Sequence, residues 1–347
     1  MHMADSLLSP VVGGTFWVVS GSLIGYSAKK ISQETDGAKT PLMGVLGAFV
    51  FAAQMINFTI PGTGSSGHLG GGLLLAVLLG PYRAFITLAS VLVIQCLFFA
   101  DGGLLALGCN IFNLAFFPAF VAYPYIYRVI AGNQSSPGKL AAGSMAAASA
   151  GLLIGAFSVV MQTAMSGITD LPVSTFLMFM MPIHLAIGIV EGLVTWAVLS
   201  FISKTEPGLL TGHPESGRPR FILASFVISS LIVGGIVSWF ASSHPDGLEW
   251  SMSKVSGKES IETAGEKVHD ILASIQERTA FLPDYGFKTV DHAAGSSADT
   301  SSPVNPGTSV SGIVGSLCVL ICAGGAGFLL RKRVPDLQTD RCNQGEG

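Results

Sequence analysis

A run of roughly 20 apolar residues is long enough, as an α-helix, to cross the hydrocarbon core of a bilayer. Lipid offers backbone amides no partner, so such a run has few other stable conformations there. This chain of 347 residues repeats the pattern from end to end. Apolar runs extend over about Pro10–Tyr26, Leu42–Phe58, Ala84–Ala100, Leu104–Tyr127 and Leu140–Met165, followed by one ending near Lys204 and by Phe221–Phe240 and Val310–Leu330. A further run from Leu69 is short and stops at Gly80-Pro81. Hydrophobic residues make up 50% of the chain and charged ones 11%. The expected fold is an all-α polytopic membrane protein of about nine transmembrane helices. Proline and glycine clusters fall where the apolar pattern breaks, as turn residues do.

Basic residues set the expected orientation, because short cytoplasmic loops collect lysine and arginine. With nine crossings, Lys29, Lys30, Lys39, Arg83, Arg128, Lys139, Lys204, Arg218, Arg220, Arg331, Lys332, Arg333 and Arg341 share one face. Lys254, Lys258, Lys267, Arg278 and Lys288 all lie in a long polar loop, 241–309, which can translocate regardless of charge. The expectation is a multi-pass protein of the cell membrane with its amino terminus extracytoplasmic and its carboxyl terminus cytoplasmic. No basic region precedes the first apolar run, so no cleavable signal peptide is expected. Net charge is −3, and no basic run suggests nucleic acid. The cysteines lack CxxC spacing and read as small apolar residues.

Chemistry enters at the termini of these runs. Met1-His2 places an imidazole beside an α-amine; amine, His2 amide nitrogen and imidazole can close two small chelate rings on one ion. A fourth nitrogen would complete a planar site of the kind that suits Ni(II) or Cu(II). Taken alone, the segment reads more readily as a frayed, exposed end. The orientation changes the balance. It puts His2 and the loop Pro61-Gly62-Thr63-Gly64-Ser65-Ser66-Gly67-His68 on one side, and the short run that follows suggests that the loop dips inward. Irregular backbone is tolerated at membrane depth where it lines a cavity. The expected metal site is Met1, His2 and His68.

Three separated motifs then resemble one family. Met1-His2 with Asp5, Leu8, Ser9 and Pro10, Gly67-His68-Leu69-Gly70-Gly71 with Leu79-Gly80-Pro81, and the stretch Phe99–Asn113 (FADGGLLALGCNIFN) occur in order. They are similar to the substrate-binding membrane component of nickel and cobalt transporters of the energy-coupling-factor type. Met3 and Ala4 depart from the usual terminus without removing a proposed ligand. The resemblance covers residues 1–205 and implies a seven-helix metal-binding domain. It implies that the amine of Met1, the backbone and imidazole nitrogens of His2 and the imidazole of His68 hold Ni(2+) or Co(2+) as transported substrate, with nickel favoured. It also implies three partners, a transmembrane coupling protein and two cytoplasmic ATPase subunits. Beyond a cytoplasmic linker, 206–220, residues 221–347 resemble the family's two-span accessory subunit, on His244-Pro245-Asp246-Gly247-Leu248-Glu249-Trp250, Leu282-Pro283-Asp284-Tyr285 and Gly312-Ile313-Val314-Gly315. Its loop contains an amphipathic helical stretch, with Ile261, Val268, Leu272 and Ile275 spaced for one face. It is expected to rest on the outer mouth of the first domain, the alternative being a solvated spacer with no role in uptake.

His184 and Glu191 share a face inside a span, where ionisable groups are either functional or paired structural contacts. Asn110 and Asn113 are candidates to orient a ligating histidine. His213, His244, His269 and His292 lie in linkers or the loop and are expected to face solvent, with His244 placed to assist delivery of the ion. No GxxxxGK[ST] sequence is present, so ATP hydrolysis by that route belongs to partners. The chain is therefore read as a transporter component and not an enzyme. Two rival readings are an ion-driven secondary transporter, for which no inverted repeat is evident, and an intramembrane metalloenzyme built on His68, His184 and Glu191.

Overall fold

The computed structural model describes residues 1–34, 39–132, 136–211, 219–257, 267–288 and 306–331. Its long helices are α1 (Pro10–Gln33), α4 (Pro81–Phe99), α5 (Leu107–Ala131), α6 (Pro137–Ser166), α7 (Val173–Thr205) and α11 (Pro306–Leu330), each long and apolar enough to cross a membrane. Three further apolar helices are shorter: α2 (Thr40–Gln54), α3 (Gly72–Leu79) and α8 (Pro219–Gly235). Two polar helices, α9 (Gly247–Ser256) and α10 (Lys267–Thr279), belong to the long loop. The fold is thus all-α and polytopic, with six helices of spanning length among the described residues.

Local chemistry fixes the helix starts. Ser9 caps α1 through its side chain and Pro10 follows at the first helical position. Ser136 and Pro137 repeat the arrangement at α6. Proline suits this place because its missing N–H has no intrahelical partner there anyway. Inside α5, Pro118 and Pro124 remove two donors, and Phe112–Tyr127 adopts the wider π-helical winding.

Close packing comes from small residues. A Cβ at Gly188 would stand 2.6 Å from the Ser149 Cα, and one at Gly192 would stand 2.5 Å from the Met145 Cα. Two glycines four apart on α7 therefore lie against the backbone of α6, the close-approach packing that membrane helices favour. In the same way α11 meets α8 at Gly312 and Gly234. Large apolar residues such as Val11, Val18, Met178 and Phe328 are exposed on the long helices, as a surface facing lipid requires.

The second apolar run does not stay helical to Phe58. Helix α2 stops at Gln54, and the chain forms a hairpin, β1 (Phe58–Ile60) with β2 (Ser65–Gly67), in which Phe58 faces Gly67. Gly62 and Gly64, both at positive φ, make its turn. Helix α8 likewise ends at Gly235, short of Phe240, and one 3-10 turn (Val237–Phe240) follows.

Candidate metal site

The first eight residues are not a frayed end. Met1, Met3, Leu7 and Leu8 are buried. Asn110 grips the Met3 backbone from both sides: Met3 N–H donates to Asn110 Oδ1 at 2.8 Å, and Asn110 Nδ2 donates to Met3 O at 3.2 Å. The Gly103 N–H also donates to Met3 O, and the Ala106 N–H donates to Asp5 Oδ1. Asn110 thus orients the peptide next to His2, not an imidazole. Asn113 pairs with Gln162 through two hydrogen bonds of 2.7 and 3.0 Å.

The glycine loop is anchored from below. Glu191 accepts the N–H groups of Gly70 and Gly71 at 2.8 and 3.2 Å, and Gln54 donates to Gly70 O at 2.8 Å. Gly71 has φ +74°, and any Cβ there would lie 2.5 Å from Val50 Cγ1. His68 Nδ1–H donates to its neighbour's carbonyl, Leu69 O, at 3.1 Å, which leaves Nε2 as the acceptor. Met1 N donates to that Nε2 at 3.1 Å. The His2 and His68 rings stack with centroids 5.1 Å apart and planes 8° from parallel. The three expected ligand residues are therefore gathered.

Carboxylates surround them. Met1 N also donates to Asp246 Oδ2 at 2.8 Å, and His2 Nδ1 lies 3.1 Å from Asp101 Oδ1. Burial raises the Asp101 carboxyl, but the His2 imidazole and the Tyr285 hydroxyl outweigh it and hold the group well below the usual carboxylate range. Burial opposes Asp246 in the same way, and the Met1 ammonium prevails. For His68, burial, the adjacent ammonium and His2 act together and lower its pKa to about 3. His68 is therefore a neutral imidazole with a free lone pair on Nε2, the form a metal needs. The His2 Nε2 atom is buried and makes no hydrogen bond. Since Asp101 occupies Nδ1, a chelate closed through Nδ1 requires the His2 ring to leave that carboxylate.

The long loop covers the site. Asp246 caps α9 by accepting from Leu248 and Glu249 N–H at 2.8 Å, while Ser66 N–H donates to Pro245 O and Ser66 Oγ–H donates to His244 O. The side chain of His244 stays exposed; Asp246, two residues on, is the group that reaches the amine. Helix α10 docks on the amino-terminal segment, but not by its apolar face. Val268 and Ile275 are exposed, Leu272 is half-buried, and Ile261 lies outside the described residues. His269 is buried instead of solvent-facing, with its Nε2 at 3.0 Å from Leu8 O, and Gln276 donates to Gly102 O at 2.7 Å. Polar side chains satisfying orphan carbonyls, not an apolar stripe, hold this helix. His213 and His292 lie outside the described residues.

Sequence reading missed the roles of Asp101 and Asp246, although both stand inside motifs it singled out. Among the described residues, no group of three or more His, Cys, Asp or Glu side chains could hold a metal. His68, His184 and Glu191 do not converge. Both Glu191 oxygens serve the loop backbone, whereas His68 and His184 line one cavity of about 10 Å³ together with Met1, Asp246 and Gly247.

Residues 2–209 match a family described as the cobalt uptake substrate-specific transmembrane region, and residues 220–332 match the PDGLE domain. The chain belongs to this cobalt-uptake family. A chain of Archaeoglobus fulgidus named as a fused nickel transport protein is 34% identical over 323 residues, covering 92% of this chain and 96% of that one. The fused nickel transport protein of Rhodobacter capsulatus is 31% identical over 234 residues, covering 63% and 67%. A crystal structure of a transition metal transporter superimposes with a TM-score of 0.53 at 29% identity, covering 64% of this chain and 99% of that one. Membership makes this a multi-span membrane protein of nickel and cobalt transport, and a transporter, not an enzyme.

Proposed function

We propose that the chain is the substrate-binding component of an energy-coupling-factor importer, capturing a divalent transition metal from the extracytoplasmic side. Nickel is the favoured ion and cobalt the near alternative. The proposed ligands are the α-amine of Met1, the amide and imidazole nitrogens of His2, and Nε2 of His68. Energy comes from partners, a transmembrane coupling protein and two cytoplasmic ATPases. The proposed domains are a metal-binding unit (1–205), a linker (206–220) and an accessory unit (221–347). In the proposed orientation the amino terminus is outside and the carboxyl terminus inside.

One observation carries the reading. A buried terminal amine sits at 3.1 Å from the imidazole nitrogen of half-buried His68, in a segment that would otherwise fray. Burying an ammonium is costly without compensation, and Asp246 compensates it here. On binding, the amine and the His2 amide would release their protons to solvent, so that a divalent ion with one amidate restores the single positive charge the ammonium carried. A nitrogen-only set disfavours Mg²⁺ and Ca²⁺, which prefer oxygen, and suits late first-row ions.

Adding one residue before Met1, or acetylating its amine, is expected to abolish high-affinity nickel and cobalt binding. Binding that survives either change rejects the amino-terminal chelate. His68→Ala should remove the planar four-nitrogen absorption spectrum; its retention excludes His68.

A further inference from the structure

A planar four-nitrogen set leaves the positions above and below the ion open. The cavity beside Met1 and His68 has two other polar residues in its wall, Asp246 and His184. Asp246 is committed, with Oδ2 on the Met1 amine and Oδ1 on two N–H groups of α9. His184 is not. It is buried on α7, and its Nδ1–H donates to Met180 O at 2.8 Å. That bond fixes the tautomer and leaves the lone pair on Nε2, which is buried without any hydrogen-bond partner. A glycine lets the covering loop approach this part of α7: a Cβ on Gly247 would stand 2.5 Å from Ile183 Cγ2 and 3.3 Å from His184 Cε1.

His184 therefore repeats the arrangement seen at His68. In both, Nδ1 is tied to a backbone carbonyl, and both residues line the same cavity. A carbonyl holding the far nitrogen is how ligating histidines are oriented and made more basic. An unpaired buried nitrogen is otherwise a plain cost. We infer that His184 is a further ligand for the transported ion, donating through Nε2 as a fifth nitrogen from outside the planar set, and that it serves cobalt(II) above all. The inference rests on the ligand set proposed above. Planar low-spin nickel(II) has little need of a fifth donor. Low-spin cobalt(II) has one unpaired electron in the orbital directed along the open axis, and it gains from a single axial nitrogen. His184 thus lets one site hold both ions.

The test is electron paramagnetic resonance of the full-length chain loaded with cobalt(II) in detergent. An axial nitrogen splits each parallel cobalt hyperfine line into a triplet, and histidine labelled with ¹⁵N turns each triplet into a doublet. The wild type is expected to show this, whereas His184→Ala and His184→Gln keep the low-spin cobalt signal without the splitting. Cobalt(II) affinity in these variants is expected to fall by about tenfold or more, with nickel(II) affinity changed by less than about twofold. Unsplit lines in the wild type, or the same splitting in both variants, overturn the inference. A high-spin cobalt signal overturns the planar set as well. Retention of the low-spin signal in His68→Ala rejects His68 as a ligand while leaving the role of His184 readable.

Discussion

At the scale of single residues, the site works because His68 is kept neutral. Unfolded histidine has a pKa near ~6.5, whereas burial and the neighbouring ammonium bring His68 to about 3. The unfolded chain therefore binds more protons than the folded one at this position between those values. The contribution of His68 to stability is fully present above about pH 6.5 and is lost as pH falls toward 3. In ¹⁵N spectra of the metal-free protein, His68 should keep an unprotonated Nε2 from pH 8 down to about 5. An ordinary titration near ~6.5 would contradict the buried docking of the loop. Nickel binding still weakens on acidification, because amine and amide must lose protons to ligate, but His68 adds no slope in that range. The imidazoles of His2 and His68 were legible in the sequence as candidate ligands. The acids beside them were visible only as members of motifs, since nothing in a linear chain announces that Asp246 will fold back onto residue 1.

At the scale of elements, Glu191 is the clearest case of a group whose role only the fold reveals. A carboxylate inside a span reads as functional, yet its two oxygens hold the N–H groups of Gly70 and Gly71. Through these amides, two and three residues beyond His68, it positions that ring. Removing it in Glu191→Ala strands two buried donors, at about 1–3 kcal/mol each. Nickel affinity is expected to fall by roughly one to two orders of magnitude, with helix content by circular dichroism unchanged. Ile189→Ala, on the exposed side of α7, should leave binding as it is. Equal effects of the two substitutions would argue that α7 acts as a whole and that the Glu191 contact is incidental. The long helices were legible because apolar length and capping agree, as at Ser9-Pro10 and Ser136-Pro137. The hairpin at Phe58–Gly67 was not, because its strands are three residues each and too short for an alternating pattern. The buried face of α10 escaped notice for a related reason: it is made by His269 and Gln276, which no apolar periodicity counts.

At the scale of the whole molecule, the accessory region and the metal-site region close on one another. The loop between α8 and α11 contributes Asp246 to the amine, Gln276 to the Gly102 carbonyl and Tyr285 to Asp101 at 2.5 Å. A vestibule of about 840 Å³ lies outside, lined by His2, Asp5, Asp101, Asp246 and Glu249 among others. The inner cavity at Met1 and His68 is about 10 Å³, near the room one water molecule needs. His2 and His68 also line the vestibule, whereas the Met1 amine lies in the inner cavity paired with Asp246, so loading onto the amine is expected to require the segment at Pro245 to lift. Thr59 and Ser242 offer a way to hold it down, since their hydroxyls are 3.0 Å apart at an exposed position. The double variant Thr59→Cys with Ser242→Cys brings two sulfurs close to disulfide distance, on the face proposed above to be extracytoplasmic. Oxidation is expected to cut metal uptake at least about tenfold, and a reductant should restore it, with each single variant transporting normally throughout. If uptake continues with the crosslink formed, the ion reaches the amine by another route, and the ion pair between Met1 and Asp246 is a structural clasp without a part in loading.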